Sequence, residues 1–223
     1  MNSIEDSLKR VQERIGKACE RAGRSASSVR LIAVTKTVDR DRVYEAIRCG
    51  IRDFGENYVQ EAKKKIEGLP QGLTWHMIGT IQTNKIKYIP KLFDYVHSVD
   101  RWDVMEGLDR YGKPVKVLFE LNLSGEASKH GTTEDGLKRM LDAIHTLTHI
   151  KPVGLMTMAP YTEKPEEVRS LFHTLREIMG RVNKEFNLHM HELSMGMSSD
   201  FEVAIEEGAT MVRIGTALFG ERQ

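Results

Sequence analysis

Strand-like and helix-like segments alternate along almost the whole of this 223-residue chain, and that rhythm constrains the fold more than any single residue does. Short apolar, β-branched runs predict strands over residues 31–35, 53–55, 74–78, 95–98, 115–121, 152–156, 190–193 and 211–214. The stretches between them predict helices over 39–49, 58–66, 83–90, 101–110, 134–147, 165–186 and 200–207. A last short helix is expected from Ala217 to Gln223. One extra helix comes first, because Ile4, Leu8, Val11, Ile15, Ala18 and Cys19 recur at helical spacing. Gly23 is its expected C-terminal cap.

Regular strand–helix alternation implies parallel strands joined by helical crossovers. About eight such units in about 200 residues point to an α/β fold of the (β/α)₈ barrel type, preceded by an additional N-terminal helix. An open doubly wound sheet is the competing topology. The barrel is preferred because no G-x-G-x-x-G motif follows the first strand. No Pro-, Gly- or Ser-rich linker divides the chain, so residues 1–223 are expected to form a single domain. A barrel of this kind keeps its working groups just after the strands, at the C-terminal mouth. Lys36, Glu56, Asn57, Gly79, Gln82, Asn84, His97, Asp100, Asn122, Thr157, Ser194, Ser198, Arg213, Gly215 and Thr216 all fall at such positions.

Composition removes several classes of function. Lys and Arg number 33 against 32 Asp and Glu, so no basic footprint marks the chain for nucleic acid or an anionic membrane. No apolar stretch approaches the length of a membrane span, and no apolar segment of a signal peptide follows Met1. The two cysteines, Cys19 and Cys49, lack metal-type spacing and read as reduced thiols of a cytoplasmic protein.

Two features of the expected mouth carry chemistry. Lys36 ends the run Leu31-Ile32-Ala33-Val34-Thr35-Lys36. An amine delivered there is costly to desolvate, so it can serve as a nucleophile toward a carbonyl compound. Alone, the same lysine better suits a strand end that reaches out to solvent, and the rest of the chain reverses that preference. The second feature is Met211-Val212-Arg213-Ile214-Gly215-Thr216, a strand that breaks into a Gly-Thr turn and then a helix. Backbone N–H groups there, with the Thr216 hydroxyl, suit a phosphate. The preceding unit ends in Ser194-Met195-Gly196-Met197-Ser198-Ser199-Asp200. In it Asp200 is expected to cap the next helix and Ser198 to face the phosphate. Arg213 reads either as a structural ion pair or as an inward donor to an aromatic nitrogen. A nucleophilic lysine beside a phosphate cradle suggests a phosphorylated carbonyl compound. Pyridoxal 5′-phosphate and a sugar phosphate both satisfy that description.

Several motifs resolve the choice. They are Ala33-Val34-Thr35-Lys36, Phe54-Gly55-Glu56-Asn57-Tyr58-Val59-Gln60-Glu61, and Trp75-His76-Met77-Ile78-Gly79-Thr80-Ile81-Gln82-Thr83-Asn84-Lys85. His97-Ser98-Val99-Asp100, Gly154-Leu155-Met156-Thr157-Met158, Ser194-Met195-Gly196-Met197-Ser198 and Arg213-Ile214-Gly215-Thr216 follow in order. With them the chain resembles the pyridoxal phosphate homeostasis proteins, which are related to the N-terminal barrel of alanine racemase. The resemblance implies a fold-type III barrel that binds pyridoxal 5′-phosphate as a Schiff base on Lys36. It places Asn57 near the ring, Arg213 at the pyridine nitrogen, and Ser194, Ser198, Gly215 and Thr216 around the phosphate. His76 and Met156 are further candidates for the pocket wall. It implies a protein that carries the cofactor without established catalysis, with pyridoxal-phosphate-dependent apo-enzymes as recipients; the surface helices show no strong apolar stripe beyond what packing on a barrel requires, so a monomer is expected. The alternative is a weak racemase-like enzyme. In alanine racemase the second base comes from another domain, and this sequence stops after the eighth unit. The loop 124–133, with Lys129 and His130, is a candidate lid or partner contact.

Overall fold

In the computed structural model, which describes residues 3–125 and 130–220, eight parallel strands close into a barrel in sequential order, β1 to β8. The strands are β1 (Arg30–Val34), β2 (Asp53–Glu56), β3 (Thr74–Met77), β4 (Tyr95–Val99), β5 (Val115–Glu120), β6 (Ile150–Met156), β7 (Glu192–Ser194) and β8 (Met211–Ile214). The helices are α1 (Ile4–Arg21), α2 (Arg40–Arg48), α3 (Val59–Ile66), α4 (Ile89–Leu92), α5 (Trp102–Asp109), α6 (Glu134–Ala143), α7 (Arg169–Glu185), α8 (Phe201–Glu206) and α9 (Thr216–Phe219). Every strand expected from the sequence is present, with ends that move by one or two residues.

The helices differ more. Residues Thr83–Tyr88 form a 3-10 helix rather than an α-helix. Pro90 does not end the segment; it sits in the first turn of α4, where a missing N–H costs nothing. Helix α6 stops at Ala143 and continues as the 3-10 turn Ile144–Thr146. Helix α7 is likewise entered through a 3-10 turn, Pro165–Val168. Gly23 follows α1 with a φ of 62°, and the N–H of Arg24 returns to the carbonyl of Cys19 at 2.9 Å, as a glycine-capped helix end requires.

Strand residues alternate between two cores. Phe54, Trp75, Val96, Phe119, Leu155, Leu193 and Val212 pack outward against the helices. Ile32, Tyr95, Leu118, Met156 and Met211 form a separate cluster along the barrel axis. Helix α1 buries Ile4, Val11, Ile15 and Ala18 and is tied to α8 by Arg14–Glu202 at 2.7 Å and Arg21–Glu206 at 2.6 Å. The first helix therefore lies over the seam where the last unit meets the first. No helix among the described residues is long and apolar enough to cross a membrane.

Candidate functional site

The inward residues of β2, β3, β4, β7 and β8 include Asp53, His76, His97, Ser194 and Arg213, and these form one continuous polar file through the barrel. Asp53 Oδ1 lies 3.1 Å from His76 Nε2. His76 Nδ1 lies 2.9 Å from His97 Nε2, and His97 Nδ1 lies 2.8 Å from Ser194 Oγ. Arg213 Nη1 donates to Ser194 Oγ at 2.6 Å and to the Ser194 carbonyl at 2.8 Å, and Nη2 donates to the Thr157 carbonyl at 2.9 Å.

The ends of this file set its direction. A guanidinium only donates, and a carboxylate oxygen only accepts. Burial holds both imidazoles below their ordinary range, His97 well below it, so each ring is neutral and carries one proton. His76 must then donate through Nε2 to Asp53 and accept at Nδ1. His97 donates through Nε2 to His76 and accepts at Nδ1 from the Ser194 hydroxyl. That hydroxyl is left with its lone pairs toward Arg213. Every link is satisfied in one polarity only, from Arg213 at the mouth to Asp53 at the opposite end.

The file also decides where several expected site residues lie. Arg213 is buried at the mouth end of the file, and burial lowers its pKa to about 10, so it remains a cation at neutral pH. Three of its five N–H donors serve the two carbonyls and Ser194, which leaves two for a ligand among the described residues. Ser194 is fully buried, with its hydroxyl committed to Arg213 and His97. His76 points toward the closed end of the barrel and stacks on Tyr95 at 4.7 Å between ring centroids. Arg30 and Lys116 flank that same Tyr95 ring at 5.2 and 4.6 Å. Met156 belongs to the inner apolar cluster beneath the mouth.

The remaining expected residues gather at the mouth. Lys36 lies two residues past β1, half-buried, in a turn closed by the Val38 N–H to the Thr35 carbonyl at 3.0 Å. Asn57 directly follows β2, and Gly79 presses against its backbone; a Cβ on Gly79 would come within 2.4 Å of the Asn57 carbonyl oxygen. Ser198 Oγ accepts from the Ala217 N–H at 3.2 Å, which fastens the loop after β7 to the first turn of α9. Gly215 has an ordinary φ of −111°, and a Cβ there would meet Val34 only at 3.6 Å. A Cβ at that position would meet only ordinary van der Waals contact. Thr216 is exposed. Asp200 precedes α8 but makes no side-chain cap; its carboxylate instead accepts from the Met197 N–H at 2.6 Å and closes the preceding turn. An amine, a buried cationic donor and an open turn at a short helix thus ring one mouth. That set fits an aromatic aldehyde bearing a phosphate. No group of three or more His, Cys, Asp or Glu able to hold a metal occurs among the described residues.

Sequence reasoning passed over several contributors. Lys65 falls on the buried face of α3 with Val59 and Ala62, a charged residue on an apolar stripe that periodicity alone flags. Glu120 alternates inward with Lys116 and Leu118, and burial pushes its carboxyl up to about 7 despite Arg213 nearby. Asp53 reads as an ordinary strand start, and nothing local in the sequence marks it as the terminus of the file. His130 is exposed, and Lys129 lies outside the described residues.

Comparison with known proteins gives the family and the fold. Residues 7–223 match the family model described as alanine racemase, N-terminal domain. The pyridoxal phosphate homeostasis protein of Aquifex aeolicus is 46% identical over 228 residues, covering 100% of both chains. That of Pseudomonas aeruginosa is 42% identical, over 100% of this chain and 97% of its own. Among solved structures, PipY of Synechococcus elongatus PCC7942 with pyridoxal phosphate bound is similar at a TM-score of 0.82 and 37% identity. The match covers 94% of this chain and 100% of that one.

Proposed function

Because this chain belongs to the pyridoxal phosphate homeostasis proteins, a family built on the alanine racemase N-terminal domain, we propose that it binds pyridoxal 5′-phosphate through a Schiff base on Lys36 and carries the cofactor without turning over a substrate. The carrying observation is the β1–β8 seam. Ile32 pairs with Arg213 and Ala33 with Ile214, so the turn holding Lys36 and the turn at Gly215–Thr216 leave adjacent strands side by side. Asn57 emerges from the neighbouring strand on the other side of β1. Ser198, Gly215 and Thr216 suit the phosphate, and Arg213 the ring nitrogen. When bound, the cofactor supplies an aldehyde for amine capture and a ring able to delocalise electrons.

The reading of a carrier rests on Arg213. Its guanidinium stays protonated and, through the file, has only donors to offer. A permanent cation facing the ring nitrogen disfavours protonation there and weakens the ring as an electron sink. Pyridoxal-phosphate-dependent apo-enzymes are the proposed recipients.

The first test loads the protein with pyridoxal phosphate, adds L-amino acids in deuterated water, and follows the α-protons by NMR. The carrier reading expects no exchange above free cofactor. Rapid loss of one amino acid's signal would instead favour a weak racemase-like enzyme, with the buried Glu120, poised at about 7, as the base to substitute. Borohydride reduction and peptide mapping should place the cofactor on Lys36, and Lys36→Ala should abolish the adduct.

A further inference from the structure

Two peptide groups flank Lys36, and both are held by one cluster outside the barrel. In the peptide before Lys36, the Thr35 carbonyl accepts from Lys65 Nζ at 2.6 Å. In the peptide after it, the Thr37 N–H donates to Glu61 Oε1 at 2.7 Å. Lys65 also donates to Glu56 Oε1 at 2.6 Å and to Glu61 Oε1 at 2.9 Å, so all three of its ammonium donors are used. The Thr35 hydroxyl completes the set by donating to Glu56 Oε1 at 2.6 Å. Lys65 and Glu56 are both buried.

The backbone they hold is strained. Thr37 has a φ of 62°, in the left-handed region that a β-branched residue rarely enters. It occupies the third position of the Thr35–Val38 turn, where glycine or asparagine normally supplies a positive φ. Such a conformation persists only when the surroundings over-determine it. Here the surroundings are one ammonium and two carboxyl groups, and Glu56 Oε2 is buried with no hydrogen-bond partner among the described residues. An unsatisfied buried oxygen is a cost. It is tolerated in a cluster that spends its other atoms on the turn.

We infer that Lys65, Glu61 and Glu56 form a clamp that fixes the backbone on both sides of Lys36 and so aims its side chain into the mouth. Lys65 and Glu61 are positioning residues: they face the helix layer and act on the cofactor only through Lys36. This inference rests on the reading of Lys36 as the cofactor-binding amine.

The decisive variants are Glu61→Ala and Glu61→Gln. Glu61 is partly exposed, so both should fold. The amide oxygen of glutamine can still accept from Thr37 and Lys65, whereas alanine cannot. In ligand-free protein, hydrogen exchange at residues 35–38 should speed up at least tenfold in Glu61→Ala and stay near wild type in Glu61→Gln. In a titration followed by absorbance and borohydride trapping, Glu61→Ala should bind pyridoxal phosphate five- to tenfold more weakly, and Glu61→Gln should recover most of that. Lys65→Met paired with Glu56→Gln removes the ammonium without leaving a lone buried carboxylate. That double variant should also lose affinity at least tenfold. Wild-type exchange and affinity in both Glu61→Ala and the double variant would overturn the clamp. A trapped adduct that survives Lys36→Ala would overturn the cofactor reading instead, while the exchange data would still report on the clamp.

Discussion

Arg213, on β8, and Lys36, in the turn just past the adjacent β1, lie at one mouth, yet the molecule holds them by opposite means. Arg213 is held from inside the barrel by a file of neutral groups, Ser194, His97 and His76, that ends on a carboxylate. Lys36 is held from outside by a compact ionic cluster that grips its backbone and leaves the side chain to point elsewhere. The difference follows from what each residue must do. A guanidinium that only donates needs its own side chain fixed and its neighbours' lone pairs turned toward it, and tautomers in a desolvated interior accomplish that. Around Lys36 the rigidity is applied at the two peptides that flank it.

The comparison breaks most severely at its centre. Replacing His97 with Leu leaves the His76 Nδ1 acceptor and the Ser194 O–H donor without partners in the interior. At about 1–3 kcal/mol for each orphaned group, the loss should reach about 4 kcal/mol in urea unfolding. No substitution in the outer clamp that keeps its charges balanced should cost as much. Acid sharpens the same point. Both histidines are held below 6.5, so between that value and their folded pKa values the unfolded chain takes up protons that the folded chain refuses. Their contribution is complete above pH 6.5 and is lost as the pH falls. Histidine NMR should find neither ring titrating near 6.5.

Glu120 runs the other way and comes next in size. Its folded value of about 7 lies above 4.5, so it favours folding at low pH and loses that contribution as the pH rises through 7. Glu120→Gln should therefore stabilise the ligand-free protein by about 3 kcal/mol at pH 8, with the gain shrinking to nothing near pH 4. A constant gain at every pH would mean that Glu120 is not held as a neutral acid. The smallest effect belongs to the clamp. Thr37→Gly relieves a positive φ but adds unfolded-state entropy, so thermal unfolding should show a change within about 1 kcal/mol. Exchange at residues 35–38 should nonetheless quicken, separating local order from global stability.

Periodicity was enough to read the barrel, since each short apolar run and its following helix stand out in the chain. It failed where helices are short: 83–92 contains Pro90 and lysines at both ends, and local sequence does not distinguish a 3-10 turn from an α-helix. At the site, Lys36, Arg213 and the Gly215 turn were legible because strand ends in a barrel converge on one mouth. His76 was legible as important and not as to where it points. The step from strand position to orientation depends on barrel stagger, which couples residues 97 positions apart, as in His97 and Ser194. Lys65 was hidden for a related reason. Apart from Glu61, one turn back on the same helix, its partners lie on β2 and in the Lys36 turn, so its full role exists only once α3 has docked.

The position of the proposed site on the β1–β8 seam has a kinetic side. Lys36 follows the first strand and Arg213 lies on the last, with α1 laid across the junction of the two strands. These are among the contacts of greatest sequence separation between described residues, and chain entropy makes them expensive to form during folding. The proposed site would therefore come into being only at ring closure. A ligand that bridges the seam acts on folding as a late cross-link: it should slow unfolding while leaving the early, local strand–helix units untouched. A cell short of the cofactor would hold the same protein with the same contacts, but with a shorter lifetime.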